Sequence, residues 1–470
     1  MPAASGDHHW GGPDCADSET FRQIVEAAAA ASPAAALFDD VRGSSAPGYS
    51  VAILQAGCGA FSFAIGHRDV ERSKAMTPRT SHHLGSLTKV LTGVIVVRLA
   101  ALGAFGLEGL DAPVDRWFDE RELTLLTVGS DPASPRCPTD LFALGRTSGA
   151  FEPAQGTCPD LGTITLRQLL NGNHGLYDVV NELDRNQNLT PDNAELIIGS
   201  LLDALGVPRL VAPPGTDTPF DLLTVHGLLA APDATPGGGS LTDFETSFGN
   251  TGHTLAGVIA ERATGVSYDL LLSWAINWPL GLRPPMRSLL APPRPERQIA
   301  REYAVVSGSD LFGIPEDGLG VFPQVFIEGH PANNTYRLDA YLGLAGASGW
   351  GISTPAAYAR FLASLVEGRL LDPAEQSLFD QSFVPIDDLP GVEHGFGLFR
   401  FDDPEFGPGF AKSGQTTGSA CQALYFADHR TTVVACRNAA DAFLGQALPP
   451  SAAPVGDLAR QLVAAADAPR

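Results

Sequence analysis

Lysine is almost missing from this chain: Lys74, Lys89 and Lys412 are the only three in 470 residues, and arginine carries the rest of the basic charge. Acidic groups outnumber basic ones 53 to 30, giving a formal net charge of −23. That balance argues against a nucleic-acid or anionic-membrane partner, since both demand a basic face. No apolar run reaches the ~18 residues of a membrane-spanning helix, so no membrane insertion is expected. Three methionines are too few for a Met-rich binding groove. The six cysteines contain no C-x-x-C pair, which points away from zinc and thioredoxin-like redox chemistry. There is no H-E-x-x-H, no Walker A loop and no G-x-S-x-G elbow. The expectation is a protein that needs neither metal nor cofactor.

What is present describes a globular protein. Hydrophobic residues make up 44% and charged residues 18%, and the length suits one large domain or two ordinary ones. Cys421 and Cys436 lie on two β-like runs joined by Asp428-His429-Arg430, nearly opposite each other in a regular hairpin. Cys137 and Cys158 bracket a loop-rich insertion. Either pair suits a disulfide, with buried free thiols as the alternative. The first residues contain no apolar signal core. The expectation is a secreted or periplasmic protein whose signal is absent from this numbering, with a cytoplasmic one as the alternative.

Periodicity lays out the elements. Residues 1–18 are polar and read as a loose arm. A helix follows from Glu19 to about Ala31, capped by Asp17 or Ser18. Two strands are expected at Tyr49–Leu54 and Phe61–Gly66. Residues 123–162 are rich in proline and look inserted. Helical periodicity resumes at Ile164–Leu170, at about 192–205 and after Asn250. Pro355 opens another helix as its first residue. A strand is expected at 395–400 and a strand series from Phe410 through 425 and 431–437, and a last helix runs from about Val455 to Ala465.

The chemistry is concentrated in Leu84-Gly85-Ser86-Leu87-Thr88-Lys89 and the apolar run Val90–Val97 behind it. The run reads as a buried helix with Ser86 at its first turn and Lys89 one turn along the same face. Helix N-terminal amides favour developing negative charge, and a lysine in an apolar wall gives up its proton more easily. In a chain so poor in lysine, Lys89 looks kept for a titratable amine that arginine cannot supply. Ser86 and Lys89 are therefore a candidate nucleophile and base. His82-His83 beside them is read as local packing.

Ser86-x-x-Lys89, Phe248-x-Asn250 and Lys412-x-Gly414 occur in an order that resembles the serine β-lactamase and penicillin-binding-protein superfamily, closest to its class C β-lactamase, D-aminopeptidase and esterase branch. Leu110–Val114, Ile164–Leu170 with His174-Gly175-Leu176, Pro214-Gly215-Thr216, Asn250–Leu255 and Thr417-Gly418 extend the likeness over roughly residues 45–440. The resemblance implies an α/β protein of β-lactamase-like fold: an antiparallel sheet from both chain ends flanked by helices, plus an inserted, mostly helical subdomain. Residues 19–122 and 341–470 would form the α/β part, and 123–340 the helical part with its insertions. Ser86 would be acylated and Lys89 would take its proton. Lys412 would bind a substrate carboxylate or help keep Lys89 neutral. Backbone amides of Ser86 and Gln415 would form the oxyanion hole, Gly414 would let substrate backbone lie close, and Asn250 would bind the substrate amide and orient Lys89. The implied partner is a small-molecule or peptide-like substrate.

One position departs from the pattern. The family's second motif usually begins with tyrosine, whose hydroxyl relays protons; here it is Phe248, which cannot move a proton. Three accounts follow. Lys89 works alone; a hydroxyl such as that of Tyr177 or Ser247 substitutes; or hydrolysis has been lost and a binding protein remains. His174 replaces a serine in its turn, and reads as a structural residue or one that supports the site from behind.

Overall fold

A computed structural model of the chain describes residues 9–12, 15–31, 47–70, 72–128, 160–176, 249–288, 299–300, 303–309, 314–323, 346–349, 351–387, 389–416, 418–441 and 453–467. Within these, a nine-stranded sheet carries the molecule. Its strands are β1 (His9–Trp10), β2 (Tyr49–Gln55), β3 (Gly59–Ile65), β4 (Val384–Pro385), β5 (Val392–Gly395), β6 (Leu398–Asp403), β7 (Gly407–Gln415), β8 (Ala420–Phe426) and β9 (Thr431–Arg437), in the spatial order β1-β3-β2-β9-β8-β7-β6-β5-β4. All these pairings are antiparallel. The sheet thus joins both ends of the chain through β2 and β9.

Alternation along the strands sorts side chains to two faces, because successive Cβ atoms of a strand point opposite ways. Val51, Ile53, Val433 and Ala435 face helix α1 (Ser18–Ala30) and the C-terminal helix Ala453–Asp467, meeting Phe21, Val25, Leu458 and Leu462. Ala52, Val434 and Cys436 face the larger core on the other side. That core holds helix α2 (Thr88–Ala101), in which every residue from Thr88 to Val97 is buried. An all-round apolar helix has no solvent face to offer, so it is central.

Local signals set the ends of the elements. Asp17 caps α1, accepting from the Glu19 amide at 3.0 Å. Thr165 and Gln168 form a reciprocal capping box on α3 (Leu166–Asn171). Helix α4 (Thr251–Thr264) starts directly after Asn250 and ends at Gly265, which takes the left-handed conformation that glycine tolerates. Thr354 caps α5 (Pro355–Val366), with Pro355 at its first position.

Three findings differ from the sequence reading. The arm expected to be loose is tied down in its described part: β1 pairs with Gly59 and Ala60, and Cys15 is bridged to Cys58. Spacing alone did not pair these two cysteines, which are 43 residues apart. Second, the stretch expected to be mostly helical contains a hairpin, Tyr303–Ser309 with Ile314–Pro323, that extends onto Ala439–Asp441. Third, residues 396–397 break the strand expected at 395–400 into β5 and β6, with Phe396 and Gly397 both at positive φ. The hairpin cysteines do pair: Cys421 and Cys436 are register partners and disulfide-bonded. Cys137, Cys158 and the helix expected at 192–205 lie outside the described residues.

Candidate active site

Ser86 lies in a single 3-10 turn, Gly85–Leu87, that runs straight into α2 at Thr88. Four hydrogen bonds hold this turn. The Thr88 hydroxyl donates to the Gly85 carbonyl at 2.6 Å and accepts from the Gly351 amide at 2.8 Å. The Leu84 amide donates to the Gly351 carbonyl at 2.8 Å, and the buried Tyr358 hydroxyl to the Leu87 carbonyl at 2.9 Å. The serine is half-buried while its neighbours Gly85 and Leu87 are buried. A rigid, mostly buried turn therefore presents one hydroxyl.

Lys89 is 2% exposed and its Nζ lies 2.9 Å from Ser86 Oγ. The same Nζ donates to Asn250 Oδ1 at 2.6 Å, across 161 residues of sequence. Asn250 is the residue before α4, so the inserted part of the chain supplies it to the buried helix of the sheet part. Asn250 Oδ1 also accepts from the Ser348 hydroxyl at 3.0 Å, and Ser348 Oγ accepts from Thr254 Oγ1 at 3.4 Å.

Lys412, on β7, is 1% exposed, and its Nζ stands 4.9 Å from the centre of the Phe399 ring. Burial, then the nearby charge of Lys89, holds the Lys412 amine well below the usual lysine range. The ring face favours the ammonium form, but desolvation outweighs it in a site this dry. Like charge acts both ways, so each lysine disfavours protonation of the other.

Gly414, on β7, packs against the turn that carries Ser86. A Cβ at Gly414 would meet the Leu84 carbonyl oxygen at 2.0 Å, and one at Gly85 would meet the Gln415 carbonyl oxygen at 2.5 Å and its amide nitrogen at 2.6 Å. The missing side chain at Gly414 therefore admits the nucleophile turn, where the sequence reading had substrate backbone. Gly85, at φ +52°, is the matching requirement on the other side. These approaches set the Gln415 backbone against Gly85, the residue before Ser86.

His174, His253 and His394 are buried, and His253 and His394 lie within the field of Lys89 and Lys412. Burial holds His174 down at about 4 and, with the charge of Lys412 as the next cause, His394 at about 3. Burial and then Lys89 keep His253 well below the ordinary value. His174 Nδ1 accepts from the Leu176 amide at 2.9 Å, and its ring packs against Gly252. It is a turn residue supporting the start of α4. His82, read as packing, is fully buried and bonded to Ser50 at 2.7 Å.

The structure thus brings Ser86, Lys89 and Asn250 into one hydrogen-bonded group, with Lys412 inside its field and Gly414 and Gln415 against its turn. Phe248 and Tyr177 lie outside the described residues. Ser348, Thr254, His253 and His394 were not singled out from sequence. The only mark on Ser348 is its place in Gly346-Ala347-Ser348-Gly349, a small-residue run that lets a turn press onto a helix. Among the described residues no cluster of His, Cys, Asp and Glu could hold a metal ion, and no helix is long and apolar enough to cross a membrane.

Comparison with known proteins follows this geometry. A family model described as Beta-lactamase matches residues 21–244. The D-amino acid amidase from Ochrobactrum anthropi SV3, solved with L-phenylalanine, is similar at TM-score 0.62 and 18% identity, covering 96% of this chain and 98% of that one. A D-stereospecific amidohydrolase from Streptomyces sp. is similar at TM-score 0.59 and 21% identity, covering 96% and 98%. The octameric penicillin-binding protein homologue from Pyrococcus abyssi matches at TM-score 0.60 and 18% identity, covering 95% and 77%. No curated protein matches the chain. The fold is β-lactamase-like, with a large antiparallel sheet and flanking helices.

Proposed function

We propose that the chain, which matches a Beta-lactamase family model over residues 21–244 and shares the fold of a D-amino acid amidase, is a serine hydrolase or acyltransferase of the serine β-lactamase and penicillin-binding-protein superfamily. It would act through an acyl group carried on Ser86, on an ester, amide or D-peptide-like substrate. The observation that carries this reading is Lys89 Nζ at 2.9 Å from Ser86 Oγ inside a buried helix. Ser86 Oγ attacks the carbonyl while its proton passes to neutral Lys89. The Ser86 and Gln415 amides hold the oxyanion. The tetrahedral adduct then collapses, the leaving group departs with the proton from Lys89, and water or another acceptor takes the acyl group. Lys412 adds a positive potential that suits a substrate carboxylate when protonated and opposes protonation of Lys89.

The likeness to a D-amino acid amidase and a D-stereospecific amidohydrolase supports an amide of D configuration as the first substrate to try. Phe248 leaves the lysine to do the work of a relay, so turnover should be slow. Two buried disulfides, Cys15–Cys58 and Cys421–Cys436, support an oxidising compartment, secreted or periplasmic.

The test is labelling with a fluorophosphonate, and separately a penicillin, with the adduct located by peptide mass spectrometry. An adduct on Ser86 that disappears in Lys89→Ala is expected, with Phe248→Tyr raising turnover of a chromogenic ester. A folded sample that takes no adduct would instead identify a silenced member that keeps its pocket for binding.

A further inference from the structure

We infer that Ser348 is a positioning residue for the acyl-transfer site: it locks the side-chain amide of Asn250 in the one orientation that aims Lys89 at Ser86. The inference rests on the reading of Ser86 as nucleophile and adds a residue that the motif pattern does not contain.

The hydrogen bonds run in one direction. Thr254 Oγ1 donates to Ser348 Oγ at 3.4 Å, which occupies a lone pair of Ser348 and turns its own proton onward. Ser348 Oγ then donates to Asn250 Oδ1 at 3.0 Å. Lys89 Nζ donates to the same oxygen at 2.6 Å. A carbonyl oxygen has two lone pairs, and these two donors fill both. Reversal of the amide would aim Nδ2 donors at Lys89 and Ser348, so that the Lys89 lone pair would be taken up by Nδ2 and lost to the Ser86 hydroxyl.

The consequence falls on Lys89. A neutral amine has two hydrogens and one lone pair. With one N–H committed to Asn250, rotation about the last carbon–nitrogen bond is restricted, and the lone pair can face the Ser86 hydroxyl. Without Ser348 the amide oxygen loses a donor that holds it in place, and the amine is free to present a hydrogen where the lone pair is required.

Ser348 is itself held firmly. It is fully buried in the short turn Gly346–Ser348, whose Ala347 lies so close to α4 that a Cβ at Gly257 would meet it at 2.2 Å. Thr92 of α2 donates to the Ala347 carbonyl at 2.5 Å. The turn is thus clamped between the helix bearing Lys89 and the helix that begins after Asn250. It is well placed to set the relation between the two.

The test uses the full chain and two readouts. One is the rate of fluorophosphonate labelling at Ser86. The other is the NMR titration of 13C-labelled lysine, which gives three signals: exposed Lys74, and the buried Lys89 and Lys412. Ser348→Ala is expected to slow labelling about tenfold, the rate equivalent of one ordinary hydrogen bond, and to move the Lys89 titration midpoint but not that of Lys412. Thr254→Val, which removes the outer donor, should act in the same direction and less. In an Asn250→Ala background, Ser348→Ala should cost nothing further, because it acts through that amide. A loss of equal size in both backgrounds would overturn the inference, since a general packing defect would be additive. So would an unchanged labelling rate with an unmoved Lys89 signal. Should the unsubstituted protein take no adduct, the hydrolase reading fails and the Lys89 signal decides alone: a midpoint unmoved by Ser348→Ala overturns the inference, and a shifted one upholds it. If Ser348→Ala does not fold, Ser348→Gly and Thr254→Val carry both readouts.

Discussion

Lys89 makes the sharpest demand of any single residue. Its amine is buried, bonded to Ser86 and Asn250, and shares its field with Lys412. Only a group that can be neutral near pH 7 can take a proton there, and arginine cannot. Lys89→Arg is therefore expected to lower the rate of Ser86 labelling by about 10²- to 10⁴-fold, the usual worth of a positioned base. Rates within a factor of two of the unsubstituted protein would show that Lys89 supplies charge alone. Lys89 stood out as a candidate base in the sequence because lysine is so rare in it. Ser348 did not stand out, because serine between small residues is common and its partner lies 98 positions away.

At the scale of elements, the junction between the nucleophile turn and β7 governs the site. Gly414 lies against Leu84 and Leu87, and Gly85 against Gln415, without room for a side chain on either glycine. Gly414→Ala would set its methyl 2.0 Å from the Leu84 carbonyl, so the turn must move. The expected result is a loss of about 1–3 kcal/mol in stability, as for overpacking elsewhere, measured by chemical denaturation, together with loss of Ser86 labelling. Full stability with labelling intact would mean that the turn and the strand can separate freely. Helix α5 contributes from outside, through Tyr358 to the Leu87 carbonyl. Element types were readable where caps and periodicity agree, as at Asp17, Thr165 and Thr354. The break at Phe396-Gly397 was not, because it answers to packing: a Cβ on Gly397 would meet backbone of Lys89 at 2.6 Å.

For the whole molecule, the buried histidines tie stability to pH. His82, His174 and His394 are held neutral, with values near 3, 4 and 3 against an ordinary 6.5, chiefly by burial. Their folded values are lower than their unfolded ones, so below about pH 6.5 the unfolded chain binds more protons than the folded one. Their contribution is complete above that pH and is lost progressively as pH falls toward 3–4. Carboxylates with lowered values, such as Asp403 and Glu367, keep their charge through pH 5. The melting temperature should consequently fall already between pH 7 and pH 5, and His394→Gln should flatten that fall. A melting temperature constant over this interval would show that these rings can protonate without leaving the core.

Much was determined by sequence alone. The order of Ser86, Lys89, Asn250 and Lys412, the apolar helix behind them and the antiparallel sheet drawn from both ends follow from periodicity, caps, composition and the family pattern, and Cys421 was set opposite Cys436 with the bond itself left open. Tertiary structure decided what depends on distant segments meeting. It paired Cys15 with Cys58, set Gly414 against the turn of Ser86, brought His253 and His394 into the field of two lysines, and placed Ser348 on Asn250. The physical reason is that hydrogen bonds, desolvation and steric exclusion act over a few ångströms of space, and separation along the chain says little about which groups will come that close.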